Sequence, residues 1–293
     1  MSAATTIPGR RRLRLRLPTE WHTPLAVVGV VIIVFWLLVV IFGPLLQPQN
    51  PLAQSPNRLA APSGAHWFGT DELGRDVLSR VIAGARLSIP VAIALVALSL
   101  LLGGLLGMLA GYFGRVTDEI IMRFADIVLA FPAIILAMVI TAALGPGISN
   151  AVLAMLLVNW PQYARIMRSM VLGAHNSEYV ISGRLLGYGV WRSLRVDILP
   201  NVISPVLVLA TLDFGNAILL LSGLSFLGLG AVPPTPEWGS MVSAGMNNFS
   251  SWWIATFPGL AIFTIVMGFN FLGDALRDAM DPRMKKHIQN EAI

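Results

Sequence analysis

Long apolar runs dominate this chain and restrict what it can fold into. The first extends from Leu25 to Leu46 without a charged residue, and others lie near 87–112, 120–144, 202–229 and 254–276. A hydrocarbon core of about 30 Å is crossed by about 20 apolar residues in helical conformation. Each run is therefore long enough to span a bilayer, and the pattern predicts a helical integral membrane protein.

A sixth and weaker run covers residues 148–170. Polar residues and a proline interrupt it between Asn159 and Tyr163, and its end carries Arg165 and Arg168. Counting this run, we predict an all-α membrane protein with six transmembrane helices. The composition agrees, because only 12% of the residues are charged, against about 25% in soluble domains.

The N-terminal apolar run is interpreted as a retained transmembrane helix. A signal peptide is the alternative, since a basic segment precedes the run. The run of 22 residues from Leu25 to Leu46 is longer than a typical signal core, however, and no small-residue cleavage site follows it. The chain also has no cysteine, which excludes disulfides and thiolate sites.

The positive-inside rule predicts the orientation of the chain. With the N-terminus in the cytoplasm, 16 of the 20 lysines and arginines lie in cytoplasmic segments. Both ends are then cytoplasmic, and the net charge of +5 reflects topology rather than a nucleic-acid partner. The predicted segments are a basic tail (1–24), a first helix (25–46), an extracytoplasmic loop (47–86), a five-helix core (87–276) and a cytoplasmic tail (277–293).

Glycines in the second helix indicate close helix packing. Gly103, Gly107 and Gly111 recur every four residues, which lets a neighbouring backbone approach closely. The general glycine richness of membrane helices explains the pattern equally well. Three other expectations are local: Trp238, Trp252 and Trp253 form an interfacial aromatic belt, Asp126 pairs with Arg123, and Asp274 pairs with Arg277.

Polar side chains at membrane depth are candidates for a translocation path. A charge that faces lipid costs several kcal/mol, so these groups should face the bundle interior or water. Hydrogen bonding between helices explains them at least as well as contact with cargo does. The candidates are Asn159, Gln162, Asp213, Asn216 and Asn270.

No catalytic or metal-binding motif is evident in the sequence. The zinc-protease, nucleophile-elbow and phosphate-loop patterns are missing, and the four histidines are scattered. We therefore expect no catalytic residue, no metal site and no cofactor in this chain. An intramembrane enzyme is a weak alternative because no nucleophile and base are seen together.

The segment EYVISGRLLGYGVWRSLRVDILPN, residues 178–201, interrupts the apolar pattern with an amphipathic stretch. Ser177 or Asn176 can cap a short helix that ends near Gly187. Val190 to Ile198 can form a second short helix, which Pro200 should end. Trp191, Leu194 and Ile198 would share one apolar face. We call this pair of short helices, residues 178–201, the elbow. Its apolar face could rest on lipid headgroups or bind a protein partner equally well.

This segment resembles the cytoplasmic loop of permeases from bacterial ATP-binding-cassette (ABC) importers. The family pattern is Glu-Ala-Ala, three residues, Gly, nine residues, Ile, one residue and Leu-Pro. Aligned on Leu199-Pro200, it places its glycine on Gly187. This chain departs from the family pattern at two positions: Ile181 stands where the family has glutamate, and Asp197 stands where the family has isoleucine.

Other stretches resemble the C-type permeases of dipeptide, oligopeptide and nickel importers. They are HWFGTDELGRDVLSRVIAGARLS, LSFLGLG, PPTPEWGSM and DALRDAMDPR. The resemblance covers about residues 25–285 and implies the type I importer permease fold in a bacterial inner membrane. It also implies a B-type permease, two cytoplasmic ATPases that bind ATP and magnesium, an extracytoplasmic binding protein and surrounding lipid as partners.

The resemblance further implies that the loop at about 171–201 couples this chain to an ATPase. The residues expected to take part are Glu178, Ser182, Gly183, Leu186, Gly187, Trp191, Leu194, Leu199 and Pro200. Peptide is the expected cargo, with nickel as the alternative within the family. An ion-coupled secondary transporter that uses Asp213 as a proton site is the alternative outside it.

Overall fold

The computed structural model describes residues 24–280, and nearly every ordered element is a helix. The terminal tails predicted at 1–24 and 277–293 lie almost entirely outside the described residues. The helices are α1 (Pro24–Leu46), α2 (Val77–Phe113), α3 (Arg115–Leu129), α4 (Ala133–Leu144), α5 (Ile148–His175), α6 (Glu178–Leu185), α7 (Val190–Arg192), α8 (Leu199–Phe226), α9 (Trp238–Met246) and α10 (Trp253–Met280), with a π-helical turn (Ser193–Ile198) between α7 and α8.

Within residues 24–280, four helical segments are long and apolar enough to cross a membrane. They are α1, α2, the continuous segment from α7 to α8, and α10. The pair α3 and α4 forms a fifth if it is counted as one broken span, because it bends by 91°. The single helix expected at 120–144 is therefore wrong, since the chain turns at residues 130–132 before Ala133. An all-helical membrane protein with four or five candidate spans results.

Helix α2 begins at Val77, ten residues before the start that hydropathy indicates. The carboxylate of Asp76 accepts a hydrogen bond from the Ser79 amide at 2.8 Å, which caps the first turn. Residues 77–86 are consequently helical rather than part of the loop expected at 47–86. Hydropathy misses these ten helical residues because they contain Arg80 and Arg86.

Helices α2 and α5 form the central contact of the bundle. A Cβ atom at Gly103 would lie 2.2 Å from the carbonyl oxygen of Trp160, and one at Gly107 would lie 2.2 Å from that of Ala164. At Gly111 the Cβ atom would meet Arg168 and Val171. The glycine stripe is thus a packing surface on which two backbones touch.

The segments 47–76 and 230–252 fold together over one end of the bundle, and we call them the loop cap. Trp238 donates from Nε1 to the carbonyl oxygen of Val81 at 2.9 Å, and Trp253 donates to that of Thr70 at 3.0 Å. Both indoles are buried, while Trp252 is exposed. The expected aromatic belt is therefore wrong for Trp238 and Trp253, which hold the cap on the helices.

Candidate coupling elbow and polar interior

Helix α6 ends in a turn that requires glycine. Tyr188 donates its amide to the Gly183 carbonyl, and Gly187 donates to that of Arg184. This is the Schellman arrangement, in which the residue after the cap adopts a left-handed conformation. Gly187 occupies that position with φ of +82°. The prediction that Gly187 ends the first helix is confirmed, and its physical reason is this positive φ.

The chain after Gly187 returns to the bundle as one continuous helical segment, from Val190 to Phe226. Pro200 does not end it, contrary to the expectation. Instead, the backbone widens to a π turn over Ser193–Ile198, and the Leu199 amide donates to the Leu194 carbonyl five residues earlier. Because proline has no N–H to donate, this wider turn immediately before Pro200 accommodates it within the helix.

The elbow has a buried side and an exposed side, and the three residues expected on one apolar face do not all lie on the same side. Leu194 and Ile198 are 2% and 0% exposed and pack in a cluster with Val180, Met167 and Val171 of the neighbouring helices. Trp191 is 70% exposed. A shared face of Trp191, Leu194 and Ile198 is therefore wrong, because the π turn rotates Trp191 away from the two buried residues.

The exposed side of the elbow carries large apolar residues. Leu185 and Leu186 are 84% and 77% exposed at the end of α6, and Trp191 of α7 is exposed as well. The guanidinium of Arg192 lies over the Tyr188 ring at 4.0 Å. Of the other residues expected to couple, Leu199 is half-buried and the exposed ones are Glu178, Ser182, Gly187 and Pro200.

Gly183 lets the two arms of the elbow meet. A Cβ atom there would lie 2.7 Å from Oδ2 of Asp197, so a larger residue would push the π turn away from α6. Asp197, where the family pattern has isoleucine, therefore packs against Gly183, where the pattern has its second alanine. Among the described residues, Asp197 Oδ2, Ser193 Oγ and two guanidinium nitrogens of Arg184 are buried without a hydrogen-bond partner.

The polar residues within the bundle form one cluster and two separate groups. Asp213 of α8 is buried and accepts a hydrogen bond from the hydroxyl of Tyr163 on α5 at 2.8 Å. Asn216 lies one turn further along α8, and Asn270 of α10 faces Gly215 between them. Asn159 is buried on α5, whereas Gln162 is exposed. The structure thus brings together Asp213, Asn216 and Asn270, and leaves Gln162 apart.

Sequence reasoning misses Tyr163, the partner of Asp213. Its signal is its place in the polar interruption of α5, next to Gln162 and on the face that meets Gly103 of α2. The expected pairing of Asp126 with Arg123 is also wrong. Asp126 pairs with Arg165 of α5 at 2.7 Å, and Arg168 pairs with Asp118, so α3 is tied to α5. Within the described residues, no ion pair joins Asp274 to Arg277.

Comparisons with known proteins match most of the chain. Residues 103–286 match the family described as binding-protein-dependent transport system inner membrane component. Residues 22–62 match the N-terminal transmembrane domain of oligopeptide transport permease C.

Three curated relatives illustrate the similarity. The dipeptide transport system permease protein DppC of Escherichia coli is 49% identical over 89% of this chain and 90% of its own. DppC of Alkalihalophilus pseudofirmus is 46% identical over 89% and 86%. The glutathione transport system permease protein GsiD of Pectobacterium atrosepticum is 43% identical over 76% and 75%.

The glycine-turned elbow, the α2–α5 contact and these matches lead to one assignment. The chain belongs to the inner membrane permease components of binding-protein-dependent ABC transport systems, in the C-type branch.

Proposed function

We propose that this chain is the C-type permease subunit of an ATP-driven importer of di- or oligopeptides. In this proposal α1, α2, the α3–α4 pair, α5, α8 and α10 make six crossings, with both termini in the cytoplasm. The loop cap then faces the extracytoplasmic side, and the elbow faces the cytoplasm. The positive-inside count supports this orientation, since it assigns 16 of the 20 lysines and arginines of the sequence to cytoplasmic segments.

The observation that carries the coupling role is the two-sided elbow. Its inner side is anchored by Leu194 and Ile198, while Leu185, Leu186 and Trp191 project from it into solvent. An exposed apolar patch on a well-anchored element is typical of a protein–protein contact. We assign this patch to the groove of an ATPase, which would bind ATP and magnesium and transmit its closure by rigid-body movement.

An apolar groove supports pairing with a B-type permease. Side chains of α2, α8 and α10 line it, among them Leu100, Leu207 and Phe269, and its volume is about 490 Å³. The Asp213 cluster lies on the same helices. A second permease packed along this side, with lipid on the remaining faces, would enclose a path between the two subunits, and Asp213, Asn216 and Asn270 would lie close to it.

The names of the relatives support peptide as cargo. Two of the three relatives described above are named as dipeptide permeases, and the third is named as a permease for glutathione, which is a tripeptide. Nickel is the alternative cargo within the wider family. We place the choice of peptide in the extracytoplasmic binding protein, which would deliver cargo to the loop cap.

Reconstitution tests the proposal. The chain would be placed in liposomes with its B-type partner, two ATPases and the binding protein, and uptake of radiolabelled dialanine and of radiolabelled nickel would be measured. We expect dialanine to accumulate only with ATP and the binding protein. Accumulation of nickel alone would contradict the peptide assignment. Uptake by the lone chain under a proton gradient would instead favour the secondary transporter.

A further inference from the structure

A small cavity lies in the loop cap, away from the Asp213 cluster. Its volume is about 190 Å³, and its walls come from Leu52, the first turn of α2, Pro234 and one side of α9. The side chains of Asp71, Arg75 and Arg80 line it and are all buried. A largely apolar cavity that holds two buried arginines is unusual, because a buried charge is costly unless it is paired.

Asp71 is the only buried anion that lines this cavity among the described residues, and its acceptor positions are already used. One oxygen accepts the backbone amides of Leu73 at 2.9 Å and Arg75 at 3.0 Å. The other accepts Nε of Arg75 at 2.6 Å and lies 3.5 Å from Nε of Arg80. One buried carboxylate therefore faces two buried guanidinium groups, so the buried charges of the cavity carry one excess positive charge, and the exposed Glu72 lies outside them.

The two arginines differ in how their remaining donors are used. Nη1 of Arg80 donates to the carbonyl oxygen of Pro51 at 3.2 Å and lies 3.5 Å from that of Pro234, so Arg80 holds two loops together. For the Nη atoms of Arg75, the described residues provide no hydrogen-bond acceptor. Because a guanidinium presents its donors as a planar fork, Arg75 is suited to bind a carboxylate.

We propose that this cavity is a carboxylate-binding site, and that an acidic side chain of the extracytoplasmic binding protein occupies it during docking. The proposal rests on the orientation given under the proposed function, which puts the cap outside. Small-molecule sites usually have volumes of about 300–1,000 Å³, so this cavity fits one side chain better than a peptide. None of the polar residues considered for the translocation path lines it.

Glu72 provides an independent check on the charge argument. Its exposed side chain lies at the rim of the cavity, where its carboxylate is 3.5 Å from the amide nitrogen of Asn248. A negative charge at the rim should weaken the binding of an incoming carboxylate. Replacing Glu72 should therefore strengthen docking, and it should do so without disturbing any buried contact.

The experiment measures docking of the binding protein on the complete complex. The two permeases and two ATPases would be held in lipid nanodiscs, and the dissociation constant of the dialanine-loaded binding protein would be measured by biolayer interferometry. We expect Arg75→Gln to weaken docking at least tenfold and Glu72→Gln to tighten it severalfold. Arg58→Gln is the matched control, because Arg58 is an exposed arginine of the same cap and does not line the cavity.

Several results would overturn the proposal. Unchanged docking in both Arg75→Gln and Glu72→Gln would leave the arginines a structural role only. If Arg75→Gln weakened direct binding of free dialanine to the complex but left docking unchanged, the site would belong to cargo. If Arg75→Gln failed to assemble, Glu72→Gln alone would decide, and an unchanged value there would contradict the proposal. A wild-type complex that binds no binding protein would refute the proposed function itself.

Discussion

The hydroxyl of Tyr163 donates a 2.8 Å hydrogen bond to the carboxylate of Asp213, which joins α5 to α8 in the interior of the bundle. Both residues are buried. A buried polar group that loses its partner costs about 1–3 kcal/mol. This bond is therefore a structural reason for a charged residue at membrane depth, and it competes with the idea that Asp213 carries protons.

Asp213→Asn separates these two roles. Asparagine keeps an oxygen that can accept from Tyr163 but cannot bind and release a proton at physiological pH. We expect ATP-driven peptide uptake to stay within about threefold of the wild type, whereas Asp213→Leu should destabilise the bundle. Uptake in proteoliposomes and thermal unfolding in detergent would be measured together. Loss of uptake in a fully folded Asp213→Asn protein would argue for a proton site.

Gly107→Ala should weaken the contact between α2 and α5. Its Cβ atom would lie 2.2 Å from a backbone oxygen of Ala164, and backbone cannot move aside as a side chain can. We expect a loss of about 1–3 kcal/mol in the free energy of unfolding, as for other overpacked cores. Thermal unfolding in detergent is the measurement.

Gly104→Ala is the matched control for this change. Its Cβ atom would meet only the terminal methyl group of Met167 at 3.5 Å, which is ordinary contact. The control should stay within about 0.5 kcal/mol of the wild type. Alanine has the higher helix propensity, so propensity cannot destabilise either variant. Equal destabilisation by the two substitutions would therefore mean that the close α2–α5 backbone contact at Gly107 does not set the cost.

Leu186→Ala combined with Trp191→Ala should release the ATPase while the fold is kept. Both side chains are exposed, so their loss removes contact area without opening a cavity in the permease. Residues that dominate interfaces cost about 2 kcal/mol or more when truncated, so co-purified ATPase should fall at least tenfold. Leu194→Ala should instead cost about 2–4 kcal/mol of stability, because Leu194 is buried. The reverse pattern would refute the two-sided elbow.

Gly187→Pro should disrupt the elbow, whereas Gly189→Pro should be tolerated. Gly187 has φ of +82°, which proline cannot adopt, and its amide donates to Arg184. Gly189 has φ of −69°, close to the value that proline prefers. ATPase co-purification and ATP-driven uptake should fall for the first variant only. Equal tolerance would mean that the glycine turn is not needed for coupling.

Glu237 should make the loop cap less stable as pH rises. Burial raises its pKa above the usual value of 4.5, although the amides of Gly239 and Ser240 and the hydroxyl of Ser88 oppose the shift. The folded cap thus binds this proton more tightly than the unfolded chain does. Its contribution to stability is complete below pH 4.5 and falls as pH rises from there through the raised pKa. Thermal unfolding between pH 4.5 and 7.5 should show this slope, and Glu237→Gln should flatten it.

The sequence predicts those features that depend on local spacing or on one backbone angle. Glycines four residues apart predict the face of α2 that meets α5, and Gly187 predicts the end of α6, because each is decided within a turn or two. The exposure of Trp191, opposite the buried Leu194 and Ile198, depends on a π turn. A prediction that assumes the regular period of an α-helix cannot include such a turn. The burial of Trp238 and Trp253 depends on two distant loops folding together, so hydropathy places them wrongly at an interface.

The π turn before Pro200 gives the elbow a mechanical property. Because the helical segment continues through this turn, Trp191 and Asp213 lie on one segment, and the buried Leu194 and Ile198 anchor it between them. Asp213 lies about 22 Å beyond Ile198 at the rise of an α-helix, whereas Trp191 lies only a turn or two on the other side. Under the coupling proposed above, a rotation about these two anchoring residues would move Asp213 further than Trp191, and so would carry the ATPase movement into the membrane.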